Sequence, residues 1–167
     1  MTTVADTSYL DRLLALVGEQ DTLDALEESG RRVEAVVRRL GPARLRDPWG
    51  PGKWTGWQVL AHLTDSELVQ GFRSRQILAE QPHTVQEYDE SAWLALYGDG
   101  IDTDAALATF VAARRWNLRL FRTLTPDQLA QVGFHPKRGP EPLAITLRAF
   151  AGHTYNHLAQ LEKMEPR

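Results

Sequence analysis

The sequence predicts an all-α fold on three grounds. Apolar residues recur at steps of three and four along its long segments, and capping residues or helix breakers stand at the ends of those segments. Alternation with period two is confined to a few residues near Leu143 to Ile145. At 167 residues with 43% hydrophobic content, the chain has the size and the apolar material for one core, and it reads as a single domain over residues 1–167.

Leu10, Leu13, Leu14 and Val17 form a short apolar cluster that predicts an extra N-terminal helix. Leu23, Leu26, Val33, Val37 and Leu40 keep one face of a longer helix turned inward. Gly41-Pro42 ends it, because glycine accepts the left-handed cap and proline cannot continue the turn. In "RDPWGPGKWTGW", residues 46–57, proline, glycine and tryptophan describe an ordered loop, and Thr55 is placed to cap a second long helix from about Gly56 to Ala79. A long connection follows, holding one short helix around Ser91 to Leu96; bundles accept crossovers of that length. Asp102 or Thr103 caps a third helix whose inward residues are Leu107, Phe110, Val111, Leu118, Phe121 and Leu124. "TPDQ" opens one turn of helix with proline in first position, and Thr146 is the expected cap of a final helix reaching about Met164.

Composition narrows the function classes. Lys and Arg number 19 against 22 Asp and Glu, so there is no basic excess for a nucleic acid backbone to attract. No apolar run approaches the roughly 20 residues of a membrane span, and "MTTVADTSYL" lacks the basic start and apolar stretch of a signal peptide. A cytoplasmic protein is expected. The chain has no cysteine, which excludes disulfides, thiolate metal sites and a cysteine nucleophile, so any transition-metal site must use His, Asp or Glu.

Only five histidines are present, and two of them sit four apart in "AGHTYNHLAQL", residues 151–161. A helix turns about 100° per residue, so His153 and His157 share a face and can both reach one ion. That face also carries Ala149, Phe150, Asn156 and Gln160 and is mostly small or apolar. A bare pair of this kind is equally served by backbone carbonyls, neighbouring side chains or solvent. His62 in "WQVLAHLTDSE", residues 57–67, adds a third imidazole on another core helix, among Val59, Ala61, Leu63 and Val69. Helix bundles build metal sites from facing helices, and three imidazoles leave a position open for catalysis.

"PGKWT", "WQVLAHLTDSE", "GFHPKRGP" and "AGHTYNHLAQL" together resemble the DinB-like superfamily of bacterial metal-binding four-helix bundles, over about Leu23 to Leu161. The resemblance implies an up-down-down-up bundle, here with the extra N-terminal helix, and a homodimer. It also implies a three-histidine site for zinc, nickel or another divalent ion, zinc being the first expectation. His62, His153 and His157 occupy the family's ligand positions. Family members include bacillithiol S-transferases and a mycothiol-dependent maleylpyruvate isomerase. The implied activity on a small-molecule substrate is therefore S-transfer from a low-molecular-weight thiol, which in a chain without cysteine must arrive as a co-substrate. A metal-dependent hydrolase and a non-catalytic metal-binding stress-response protein are the alternatives.

Asp65 lies one turn after His62, where it is either a hydrogen-bond partner that orients an imidazole, an acid or base beside the open position, or a helix-surface acid. Gln160 beyond His157 has a similar choice, and Glu67 projects away from His62 and reads as structural. His83 and His135 fall in proline-containing loops and are not read as ligands, although His135 can border the pocket. Trp49, Trp54, Trp57, Trp93 and Trp116 suit pocket walls or core packing. The pairs Arg31-Arg32, Arg38-Arg39 and Arg114-Arg115 read as solvated helix faces or partners of nearby acids.

Overall fold

The computed structural model describes residues 4–164. Helix α1 spans Val4–Val17, α2 Thr22–Arg44, α3 Gly56–Ala79, α4 Glu90–Ala95, α5 Thr103–Phe121, α6 Pro126–Leu129 and α7 Leu143–Glu162. Short strands β1 (His83–Thr84), β2 (Val132–His135) and β3 (Gly139–Pro142) complete the set.

Side-chain caps start most of these helices. Asp21 accepts from the backbone N–H groups of Leu23 and Asp24, and Asp102 from that of Ala105. Thr55 and Thr125 form reciprocal capping boxes with Gln58 and Gln128. Gly41 takes a φ of 67° and breaks α2 where the sequence places the break, but Pro42 restarts a last helical turn to Arg44, so the break is a kink and not an end. The expected cap at Thr146 is corrected: α7 begins at Leu143 after Pro142, whose fixed φ sets the helix entry without a side-chain cap.

Helices α2, α3, α5 and α7 form the bundle. Thr64 bonds Ala106 while Glu67 bonds Arg114, so α3 and α5 run parallel. Thr22 meets Arg148 and Arg32 meets Glu162, so α2 and α7 also run parallel. Gly56 lies against Met164 and His62 against His153, which makes α3 and α7 antiparallel and gives the up-down-down-up order. The crossover of residues 80–102 is what allows α3 and α5 to point the same way. Helix α1 lies across α7 at Gly152, where any Cβ would stand 2.0 Å from the carbonyl oxygen of Leu13, so only glycine permits that approach.

The sheet corrects the reading of 80–89 and 130–142 as loop. β1 pairs with β2 in parallel through His83 and Gly133, and β2 pairs with β3 antiparallel from Val132 and Pro142 to His135 and Gly139. Strands of two to four residues are too short to display a period, and glycine and proline in them signal turns. No helix among the described residues is long and apolar enough to cross a membrane.

The core has two apolar halves. Val33, Val37, Leu60, Phe110 and Leu161 fill one, and Leu26, Ile77, Phe121, Leu143 and Leu147 the other. Where they meet, the Arg114 guanidinium stands 5.2 Å from the rings of both Phe110 and Phe150. It donates from Nε to Glu67 at 2.7 Å, from Nη1 to the carbonyl of Leu26 at 2.5 Å, and from Nη2 to Thr154 at 3.0 Å. Asn117 Nδ2 donates to the other Glu67 oxygen at 2.9 Å. Arg114 therefore binds groups on each of the other three bundle helices, and of the two readings offered for the Arg114-Arg115 pair, a solvated face or a partner of nearby acids, Arg114 takes the second, buried against Glu67.

Candidate metal centre

His62 on α3 and His153 and His157 on α7 converge, each offering a ring nitrogen within 4.8 Å of the others. The Nε2 atoms of His62 and His153 are 2.9 Å apart, and the ring centroids of the three are separated by 4.6 to 5.0 Å. The antiparallel contact of α3 and α7 brings them together, and the one-turn spacing on α7 supplies two of the three from a single face. His62 and His157 are buried and His153 is half-buried.

The donor set fits a divalent ion. A proton shared between His62 and His153 satisfies only that pair, whereas a cation satisfies all three nitrogens; bonds of about 2.1 Å put neighbouring imidazole nitrogens roughly 3.0–3.4 Å apart. His157 Nδ1 lies 2.9 Å from Oε1 of Gln160. An amide oxygen only accepts, so Nδ1 carries the proton and Nε2 presents its lone pair. The Nδ1 of His153 is buried without a hydrogen-bond partner in the protein. Burial, reinforced by the neighbouring His157, pushes His62 down to about 3. Burial and the charges of His157, His62 and Arg114 hold His153 well below its ordinary value, and burial lowers His157 despite its bond to Gln160. The three imidazoles are thus neutral at pH 7, as ligation requires.

A pH dependence follows for the metal-free chain. Because the folded values are depressed, the histidine contribution is fully present above the unfolded value of about 6.5 and is lost as pH falls toward the folded values. For His62 alone the loss is about 2 kcal/mol at pH 5. Urea midpoints in the presence of a chelator should fall steadily from pH 7 to pH 5; a flat profile over that window would contradict the burial of the imidazoles.

Trp54 covers the site, with its ring 5.2 Å from His62 and stacked 6.1 Å from His157. It is held by the loop before α3, where Trp49 N–H donates to the Trp54 carbonyl and Gly52, at a φ of 65°, turns the chain. Trp57 joins the core, and Trp93 and Trp116 are exposed. Asp65 does not orient an imidazole: its Oδ1 accepts from the Tyr97 hydroxyl at 2.8 Å, tying α3 to the crossover, and burial raises its carboxyl despite that bond. The sequence reading missed Glu90 at the start of α4, whose Oε2 stands 3.6 Å from His62 Nε2. Only the return of the crossover over α3 puts it there, and nothing in its local sequence signals it. Burial and the adjacent Asp89 raise the Glu90 carboxyl.

Of the other histidines, His83 lies in β1, and His135 in β2 accepts from the Lys137 and Arg138 backbone at Nδ1. Neither joins the three-imidazole group. Two cavities border that group. One of about 330 Å³ is bordered by His157, Gln160, Trp54, Lys53 and Glu90. The other, about 190 Å³, lies between α1, α3, α7 and the sheet, with His153 and His135 in its wall.

The match to known proteins agrees with this geometry. A relative from Oceanobacillus iheyensis, provisionally named a metal-dependent hydrolase, is 25% identical over 142 residues, 85% of this chain and 83% of its own. A Bacillus cereus protein with the same provisional name is 24% identical over 145 residues, 87% of this chain and 84% of its own. The solved structure of YfiT from Bacillus subtilis, provisionally described as a metal-dependent hydrolase with an unusual four-helix bundle topology, superimposes with a TM-score of 0.80 at 28% identity. The superposition covers 86% of this chain and 83% of YfiT. The DinB superfamily model matches residues 25–161, which takes in all three histidines and every bundle helix, and the chain belongs to that superfamily.

Proposed function

We propose that this chain is a metal-dependent hydrolase in which His62, His153 and His157 hold a divalent ion, zinc being the expected metal. The observation that carries the reading is the convergence of three neutral imidazoles beside an open cavity, with Gln160 fixing the tautomer of one. The three imidazoles would hold a divalent ion, which when bound would supply Lewis acidity for activating water and polarising a carbonyl. Glu90 Oε2, 3.6 Å from His62 Nε2, is placed to take up a proton beside the imidazoles and so to serve as general base. Trp54 shields the imidazoles from bulk solvent.

Transfer of a low-molecular-weight thiol is the second reading. Cavities bordered by His153 and by His157 offer room for a thiol beside a substrate, and the chain has no thiol of its own. In either case the substrate is a small molecule. Leu68 and Phe72 on α3 and Trp116 on α5, all exposed, support a homodimer through those helices.

The test pairs metal content with turnover. Zinc-loaded protein should bind about one ion per chain and hydrolyse members of an ester and amide panel, with chelation abolishing the rate. Glu90→Gln should keep its metal and lose about 10²–10⁴-fold in kcat. A rate that appears only with added thiol and an electrophile would select the second reading. Full metal occupancy with no metal-dependent rate on either panel would leave a metal-binding protein without this activity.

A further inference from the structure

The cavity of about 190 Å³ beside His153 has a mixed lining. Leu10, Leu13, Val69, Val85 and Phe150 supply the apolar part, and Arg73, Arg138, His135 and Glu141 the polar and charged part. Each charge except one is answered by a neighbour. Arg138 makes a two-pronged pair with Glu141 at 2.6 and 2.9 Å, and Lys137 just outside pairs with Glu87 at 2.9 Å. His135 accepts two backbone N–H groups at Nδ1, and both burial and the nearby Arg138 push it toward the neutral form.

Arg73, projecting from α3, is the exception. Among the described residues no carboxylate forms a salt bridge with it; its Nη2 donates to the Gln86 carbonyl, and its guanidinium lies 5.8 Å from the Tyr88 ring. Its Nε is shut off from solvent with no partner. With Nη1 making no hydrogen bond among the described residues and no carboxylate in a salt bridge, a guanidinium in a cavity wall is a receptor for an anion.

We infer that Arg73 receives the carboxylate of a compact, apolar-bodied acid bound in the cavity between α1, α3, α7 and the sheet. The apolar body packs on Val69, Val85 and Phe150, and the end that reacts points to His153. The volume lies below the roughly 300–1,000 Å³ of pockets for drug-sized ligands, which restricts the acid to a single ring or a short chain. Only the direction of the reactive end rests on the hydrolase reading; recognition of the carboxylate does not.

The probes are 3-phenylpropanoate and its uncharged isostere 3-phenylpropanamide, titrated calorimetrically into the full-length protein with and without chelator. The acid should bind about tenfold or more tightly than the amide, and the preference should survive metal removal. Arg73→Gln should erase the preference while leaving amide binding and metal content unchanged, and Arg73→Lys should restore part of it. Val69→Trp, which fills the cavity, should abolish binding of both probes and serves if the Arg73 variants do not fold. The assignment is overturned if neither probe binds, if the preference disappears on chelation, if Arg73→Gln retains it, or if Val69→Trp binds the acid normally. A chain that fails to bind metal yet shows this selectivity would reject the metal-centre reading and leave the acid site standing.

Discussion

Replacing His62, His153 or His157 by alanine should weaken divalent-metal binding by more than about 100-fold, beyond the 10–100-fold typical of losing an outer hydrogen-bond partner. Each imidazole contributes one of three converging nitrogens, and removing any one of them leaves only two histidine nitrogens for the ion. His83→Ala and His135→Ala should bind metal as the parent does, because neither side chain joins the group. Gln160→Ala should fall between these limits, since its oxygen fixes the proton on His157 Nδ1. Elemental analysis and competition with a chromophoric chelator measure all six. Parent-like affinity in His62→Ala would refute the three-imidazole centre.

Loss of the buried cation should be as damaging to stability as loss of a ligand is to metal binding. Arg114→Ala removes the partner of Glu67, whose carboxylate is fully buried, and leaves the Leu26 carbonyl and the Thr154 hydroxyl without that donor. Breaking a buried pair from one side costs about 3–5 kcal/mol. The double replacement Arg114→Leu with Glu67→Leu should recover much of that loss, because no uncompensated charge remains. Urea unfolding of chelated protein is the appropriate measurement, since bound metal would add its own stabilisation. A cost below about 1 kcal/mol for Arg114→Ala would show that the charge is not sealed in the fold. Thr154 is the neighbour of His153, so loss of Arg114 should also loosen the metal centre, which the same chelator competition reads.

Much of the fold was legible because its signals are local. The cap at Thr55, the choice of Asp102 or Thr103 as the next, the proline-led turn in "TPDQ", the break at Gly41 and the inward stripes of the long helices each depend on residues within a few positions of one another. The start of α7 was misplaced because Pro142 sets a helix entry without a side-chain cap, so a threonine three residues inside was the more visible signal. The three-stranded sheet was missed because β1 meets β2 across about fifty residues, and the local hairpin of β2 and β3 is built from segments too short to carry a period.

The candidate centre divides along the same line. The one-turn spacing of His153 and His157, the position of Gln160 beyond them and a third histidine on an apolar helix were readable from residue order alone, because helical geometry converts spacing into direction. Residue order does not say which helices touch or which way they run. Only the antiparallel contact of α3 and α7 brought His62 Nε2 to 2.9 Å from His153, and only the returning crossover set Glu90 beside it and turned Asp65 toward Tyr97. Arg114 and Arg73 show the same division: a pattern of charges offers solvation or pairing with an acid without choosing between them, and packing decides which arginine is sealed among four helices and which is left facing a cavity. Sequence thus determined the elements and the chemical types available to the site, because those follow from short-range sterics and periodicity; tertiary structure decided partnership, since burial and charge pairing belong to residues that meet only after the chain has folded.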